Sequence, residues 1–490
     1  MQIRFHGATG GTTGTCHQLR VGERSVLLDC GLFQGRREDA YRRNQRFRLE
    51  LDELDAVVQS HAHIDHSGKL PMLVREGWSG PIHATHGTRD LCAVMLRDCA
   101  HILLKDAEFL NRKRVRDEVR KRRKRDRGRR WDADAEPESL GRADRPLHEV
   151  LPLYLDEDVQ ETLPLFVPHK YGAWFDAAPG MRFRFHDAGH ILGSAWVEGE
   201  LTEQGRTVRL VFTADYGRPQ PILRDPEPLL AADVFVSEST YGNRLHGKAE
   251  DNERALAEAV ERLDQRGTGR LLIPAFAVGR TQHILYLLAR IFGRRPQGRL
   301  EVVVDSPLAT AATRIVTSHP EYFDEEAREV FRRWEQDQAL RLRFTESVEQ
   351  SKALNGDPRP TILIAASGMM ESGRVLHHLA WNVSRTDCEI LVVGYQAEGT
   401  LGRRIVEGAR EVPILGERYA VHARVTNLLG FSAHADRAGL LAALLPHAAS
   451  ARKLFLVHGE ADQRAPLAQA LREGGFRDVI EPDDDRPFEL

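Results

Sequence analysis

The segment Ser60-His61-Ala62-His63-Ile64-Asp65-His66-Ser67-Gly68 places four potential metal ligands within six positions. It follows the strand-like run Asp55-Ala56-Val57-Val58-Gln59 and precedes the helix-like Lys69-Leu70-Pro71-Met72-Leu73-Val74. A strand end feeding a helix start lets side chains converge on one point outside a sheet edge. Imidazole and carboxylate suit zinc, and no long-range folding is needed to bring these four together. Whatever else the chain builds, a strand must end here and a helix begin.

The 490 residues exceed what one ordinary core accommodates, so two domains plus an insertion are expected. Hydrophobic residues at 41% and charged residues at 29% describe a globular chain, and no apolar run approaches the ~18 residues of a membrane span. Met1 to Gly11 reads as a short strand entering a Gly/Thr turn and lacks the basic-then-apolar order of a signal peptide, so a cytoplasmic location is expected. The five cysteines (Cys16, Cys30, Cys92, Cys99, Cys388) form no CxxC pair and are odd in number, so they read as buried thiols. Net charge is −3, which gives no global attraction to a polyanion. Between Arg112 and Arg130, however, thirteen Lys or Arg stand against three acids, which marks either a phosphate-contacting surface or a solvated helix face.

Taken in order, short apolar runs and turns up to about residue 60 predict strands and hairpins. Asp29 ends the run Val26-Leu27-Leu28, where it is either a turn former or a partner that orients a metal ligand. Pro81 to Thr85 predicts a strand, Thr88 to about Arg127 a long helix, and residues 131 to 150 a loop or weakly ordered insertion. Strands resume at Met181, and His190 and Asp215, each at a strand end, supply the distant ligands that the first cluster lacks. From about residue 232, the buried runs Val234–Glu238, Arg270–Pro274, Leu300–Asp305 and Thr361–Ala365 alternate with amphipathic segments, which predicts a doubly wound parallel sheet. The first unit is then expected to return, with Ala423-Arg424-Val425 leading to His434 and Lys453–Val457 ending in His458. These histidines lie about 370 to 390 residues beyond the first cluster, so the second unit reads as inserted into the first. The expected division is 1–231 with a basic insertion at about 110–150, then 232–420, then 421–490.

Several ordered motifs now stand together: Leu28-Asp29-Cys30-Gly31, His61 to His66, Gly189-His190-Ile191-Leu192-Gly193-Ser194, Ala214-Asp215-Tyr216, Glu238-Ser239-Thr240-Tyr241-Gly242, Ala366-Ser367-Gly368-Met369, Phe431 to Asp436 and Val457-His458-Gly459-Glu460. In this set the chain resembles the β-CASP branch of the metallo-β-lactamase superfamily. Within it, the chain looks like bacterial and archaeal relatives of the endonuclease subunit of the cleavage and polyadenylation specificity factor. The match runs from about residue 1 to 470 and is weakest between Arg112 and His169. It implies an α/β fold, a metallo-β-lactamase αββα sandwich carrying an inserted doubly wound β-CASP domain.

The resemblance further implies two zinc ions, one held by His61, His63 and His190, the other by Asp65, His66 and His458, with Asp215 between them. Asp65, Glu238, His434 and Asp29 are the implied catalytic group, in which Glu238 pairs with His434 and His434 acts as general acid. Taken alone, His434 reads equally as a strand-end histidine. Ser367 and Gly368 fall where the family places a loop near the scissile nucleotide, and Arg374 joins them as a substrate-binding candidate; without the resemblance this stretch reads as a helix N-cap. Lys248 and Arg280 are further basic residues in reach of a phosphate by this reading. The implied activity is a zinc-dependent ribonuclease, foremost an endonuclease on single-stranded RNA. A five-prime exonuclease, a DNA-processing relative, a non-catalytic RNA-binding subunit and a small-molecule hydrolase are the alternatives. RNA rather than DNA comes from the family alone. No membrane partner is expected, and a homodimer is an option. Many archaeal relatives carry an N-terminal RNA-binding extension, and the basic run here is expected to stand in for it.

Overall fold

The apolar runs assemble into three main sheets in a computed structural model that describes residues 1–35, 37–128, 149–247, 249–293, 300–337, 341–394, 396 and 399–490. The first sheet orders its seven strands as Pro487–Glu489, Gln2–Phe5, His17–Val21, Arg24–Leu28, Leu54–Val58, Ile82–Thr85 and Phe166–His169. The second orders them as Val479–Ile480, Lys453–Val457, Val234–Glu238, Arg206–Phe212, Ala195–Glu203, Met181–Asp187 and Phe175–Ala178. Their inner faces share one core, in which Ile3, Phe5, Leu28 and Val58 meet Phe183, Phe185, Phe212 and Phe455. Each such fully buried side chain contributes about 1.5–3 kcal/mol, so the two sheets are firmly clamped. Helices close both outer faces. Leu70, Leu73, Leu91 and Leu96 pack on the first sheet, and Leu440, Leu444, Leu467 and Leu471 on the second. This is the expected αββα layering.

The third sheet is parallel throughout, with strand order Leu342–Phe344, Glu301–Asp305, Thr361–Ala365, Arg270–Pro274, Glu389–Val392 and Arg424–Asn427. Helices cover both faces: Leu256, Leu285 and Leu288 pack on one side, Leu354, Val375 and Leu379 on the other. A doubly wound sheet results. The helices expected from Asn252 and Thr281 are found as Ala249–Arg266 and Arg280–Gly293.

Two strands lie in a different sheet from the one expected. Val234–Glu238 belongs to the sandwich, between Arg206–Phe212 and Lys453–Val457. Arg424–Asn427, expected in the returning segment, is the sixth strand of the third sheet, paired with Glu389–Val392. Val234–Glu238 is buried on both faces and reads as the same apolar run in either sheet, while Arg424–Asn427 is a half-exposed edge strand whose short polar sequence marks no sheet. The chain therefore leaves the sandwich after Glu238 and re-enters the same sheet at Lys453, one strand over.

The long helix spans His86–Gly128, slightly more than expected, and its backbone carries the basic run up to that point. The loop expected at 131–150 lies outside the described residues up to 148, as does Lys248. All five cysteines are buried and free. Among the described residues no helix is long and apolar enough to cross a membrane.

Candidate metal centre

The segment that carries the first histidines is pinned from behind by the strand exit at 29–32. Thr15 N donates to Asp65 O (2.8 Å), Cys30 N to His66 O (2.7 Å) and Leu32 N to Ile64 O (2.9 Å). Asp29, at φ +61°, turns its carboxylate into this segment. Ser60 N and Ser60 Oγ donate to its two oxygens at 2.7 Å each, and His66 Nδ1 lies 2.7 Å from Oδ2. A carboxylate only accepts here, so Nδ1 carries hydrogen and Nε2 of His66 is turned toward the cluster. Of the two sequence readings, Asp29 is a turn residue and an orienting partner at once. It stands behind His66 and does not face the cluster, so it acts through that ring.

Gly31 shows how tight this support is. A Cβ there would lie 1.7 Å from Asp65 O and 2.2 Å from Asp65 C, both backbone atoms. Gly31→Ala is therefore expected to displace the Asp65-His66 peptide, cost about 3 kcal/mol or more as a backbone clash with no flexible neighbour, and lower metal content. Metal analysis beside a urea unfolding curve checks it; a variant with unchanged metal content would show the support to be looser than the geometry requires.

The seven sequence-predicted ligands meet at one place. His61 Nε2 and His63 Nδ1 are 3.2 Å apart, His63 Nδ1 and His190 Nε2 3.2 Å, and Asp215 Oδ2 lies 3.4 Å from His61 Nε2 and 3.3 Å from His190 Nε2. Zinc bonds of 2.0–2.1 Å in a tetrahedron imply ligand–ligand edges of about 3.3–3.4 Å. The first set has that spacing. In the second set, His66 Nε2 is 3.3 Å from His458 Nε2, His458 Nε2 is 3.5 Å from Asp65 Oδ2, and Asp215 Oδ1 is 3.1 Å from His66 Nε2. Asp215 thus turns one oxygen to each set. Its Oδ1 is buried without a hydrogen-bond partner. A buried carboxylate oxygen left unmatched amid imidazoles fits a cation.

The electrostatics agree. Burial lowers His61, His63 and His190, His63 to about 3, so these rings are neutral at pH 7 and able to ligate. Burial works against His66 too, but Asp215 and Asp29 on either side outweigh it and draw it well above the usual histidine range. That field favours a positive charge beside Nε2, as a proton or as a metal ion. Asp215 is held well below the carboxylate range despite its burial, by His458, His66, His434 and His61. The donors, their spacing and this field fit a metal centre of two adjoining sets. Thr240 was not anticipated from the sequence; its Oγ1 lies 3.1 Å from His458 Nδ1 and holds that ring.

His434 sits on the open side of the cluster. Its Nδ1 lies 3.1 and 3.3 Å from the Glu238 oxygens, and its Nε2 is 3.9 Å from Asp215 Oδ2. Glu238 is fully buried and accepts from Tyr216 N at 2.6 Å, so the carboxylate is fixed before it meets the ring. Burial lowers the ring's pKa, but Glu238, Asp215 and Asp65 together raise it to about 9.

The predicted substrate residues divide. Ser367 and Gly368 lie on the loop after Thr361–Ala365, but Ser367 Oγ accepts from Glu371 N (3.3 Å) and Ser367 N donates to Ser372 O (3.3 Å). Those groups are already used within the loop. Arg374 is turned inward: Nη1 donates to Asp305 Oδ1 (2.6 Å) and Nη2 to Glu346 O (2.7 Å). Asp305 is fully buried and also meets His378 Nε2, Ser351 Oγ and Thr345 Oγ1. The sequence displayed the charge of Arg374 and concealed its partner 69 positions away. Arg374→Ala is expected to destabilise the third-sheet domain by about 1.5–3 kcal/mol through loss of a charged hydrogen bond, with little change in KM for RNA in the folded fraction. A raised KM at unchanged stability would restore the substrate role.

Comparison with known proteins accords with this geometry. The sequence matches the metallo-beta-lactamase superfamily over residues 9–172, the Beta-Casp domain over 281–405 and the Zn-dependent metallo-hydrolase RNA specificity domain over 418–482. Ribonuclease TTHA0252 of Thermus thermophilus is 35% identical over 473 residues, covering 96% of each chain. Transcription termination factor FttA of Methanocaldococcus jannaschii is 28% identical, covering 96% of this chain and 69% of that protein. A crystal structure of a protein of unknown function from Enterococcus faecalis shares the fold at TM-score 0.51 and 11% identity, covering 100% and 99% of the two chains. With its sandwich, its inserted parallel sheet and its paired ligand sets, the chain belongs to the β-CASP branch of the metallo-β-lactamase superfamily.

Proposed function

We propose that the chain is a zinc-dependent endoribonuclease that hydrolyses phosphodiester bonds of single-stranded RNA. The observation that carries this reading is the juxtaposition of two ligand sets with a histidine–carboxylate pair on their open side. The similarity to a protein named as a ribonuclease, together with the match to an RNA specificity domain, supports the substrate class.

In this reading His61, His63 and His190 hold one zinc ion, Asp65, His66 and His458 the other, and Asp215 serves both. Bound there, such a pair supplies Lewis-acid polarisation of a phosphoryl oxygen and water of lowered pKa. The protein's own groups do the rest. Asp29 and Ser60 keep Nε2 of His66 directed inward. Glu238 fixes His434 with Nε2 toward the cluster and favours its protonated form, so a proton is available at that atom for the departing oxygen. A single strand, whose bases are free to stack and whose backbone is free to bend, is the substrate form this reading favours over a duplex.

The test uses zinc-loaded protein, a circular single-stranded RNA and a linear five-prime-monophosphate copy. Linearisation of the circle followed by fragmentation is the expected result. An untouched circle with stepwise loss from the linear copy would replace the endonuclease by an exonuclease. Inertness toward both, with full metal content, would overturn the ribonuclease reading.

A further inference from the structure

The ligand sets locate the reaction, and the loop after the strand Arg270–Pro274 has the features of a holder for the nucleotide. At one end this loop packs on the segment that carries His190: a Cβ on Gly279, which has φ +77°, would lie 3.3 Å from Cγ2 of the next residue, Ile191. At the other end stands Phe276. It is 45% exposed, while Ala275 and Ala277 on either side are buried. Its ring lies across Gly368, where a Cβ would be 3.1 Å from Cδ2 and Cε2. Thr281 N and Oγ1 donate to Phe276 O at 3.2 and 2.8 Å, so the backbone that presents the ring is fixed. One face of the ring is thus seated on the Gly368 loop, and nearly half of the side chain is left to solvent, where an aromatic surface can stack on a base.

Arg280, at the other end of this loop, shows a complementary anomaly. Its Nε and Nη1 are buried with no hydrogen-bond partner, and its guanidinium carbon lies 5.4 Å from the centre of the Phe431 ring. Neighbouring arginines are engaged: Arg218 donates to the carbonyls of Ser432 and Gly430, and Arg374 to Asp305 and Glu346. Burial lowers Arg280 to about 10, which leaves it charged at neutral pH. Buried charged donors without acceptors destabilise a fold, and they persist where a ligand supplies the acceptor.

We propose that Phe276 and Arg280 together form a nucleotide seat at the mouth of the cleft, the ring stacking on a base of single-stranded RNA and the guanidinium binding an adjacent phosphate. The proposal rests on the ribonuclease reading and adds the residues that hold the strand. Stacking tolerates any base, since each has a π face, while the phosphate contact carries the salt dependence. The two halves are therefore separable.

The test measures binding of a single-stranded RNA oligonucleotide by full-length, zinc-loaded protein in a His434→Gln background, which slows cleavage, with the strand checked for integrity after each titration. Phe276→Leu is expected to weaken binding about 5- to 150-fold with the salt slope unchanged, and Phe276→Tyr to restore it. Arg280→Gln is expected to lower the slope of log K against log salt by about 0.7, one single-strand phosphate contact. Metal content and unfolding midpoint establish that each variant is folded, and Arg280→Met, equally neutral, serves should the glutamine variant not be. Equal affinities for the leucine and tyrosine variants would overturn the stacking half, and an unchanged slope in a folded Arg280 variant the phosphate half. If the parent protein cleaves RNA and both results are negative, the seat alone fails; if no variant or parent binds RNA, the ribonuclease reading fails with it.

Discussion

Asp215→Asn is expected to remove metal from both ligand sets and to lower RNA cleavage by at least about 10³-fold, a loss of several kcal/mol of transition-state stabilisation. The side chain is 2% exposed, and its oxygens face opposite ways, Oδ2 to His61 and His190, Oδ1 to His66. Asparagine keeps the shape. It removes the negative charge and turns an amide N–H₂ toward one set, where a ligand oxygen is required. His63→Ala is the comparison: that ring serves only the first set, so metal and activity fall there while the Asp65, His66 and His458 set keeps its donors. Chelation of the unaltered protein should reproduce the loss of activity and lower stability, by about 2.7 kcal/mol relative to protein held at a metal concentration of 100 Kd. Metal analysis alongside rates decides it. A folded Asp215→Asn protein with full metal content and the parent rate would sink the shared-ligand assignment.

The parts of this centre that were legible in the sequence are those that are local or that end strands. His61 to His66 needs only one turn of chain to assemble, and His190, Asp215 and His458 each follow an apolar run whose end can be read directly. What the sequence could not show is which sheet a buried parallel strand joins. Val234–Glu238 is such a strand, because covering both faces erases the alternation that would tell the two sheets apart, whereas Arg424–Asn427 is a short, half-exposed edge strand with too little apolar pattern to place it in either. Nor does a sequence show what an arginine touches. Arg374 and Arg280 look alike on paper, yet one is bound to Asp305 and the other keeps two buried donors unmatched. The exposure of Phe276 is likewise illegible, because a phenylalanine directly after a buried strand reads as core.

His434→Ala is expected to keep the metal and still slow RNA cleavage by about 10²- to 10⁴-fold, the range of a positioned proton donor. The ring stands 3.9 Å from Asp215 Oδ2 and packs beside His190 with ring centroids 4.5 Å apart, but it is not one of the seven residues of the two ligand sets, so its removal deletes none of them. What disappears is the proton that Glu238 holds available at Nε2. The defect therefore has a chemical signature. A ribose alkoxide is a poor leaving group and needs protonation, whereas a nitrophenolate does not, so the loss should shrink markedly on bis-p-nitrophenyl phosphate. The pH profile supplies the second signature. Glu238 draws the pKa of this ring above the usual histidine value, and such a group loses its proton as pH rises through its pKa, so the parent rate should fall on the alkaline side and the variant should lack that limb. Glu238→Gln should resemble His434→Ala in direction with a smaller effect, because the ring stays but loses the charge that favours its protonated form. Measured on metal-replete protein, an equal defect on both substrates would reassign His434 from proton donor to a residue that shapes the cleft, and a parent-like rate on RNA would remove it from the chemistry.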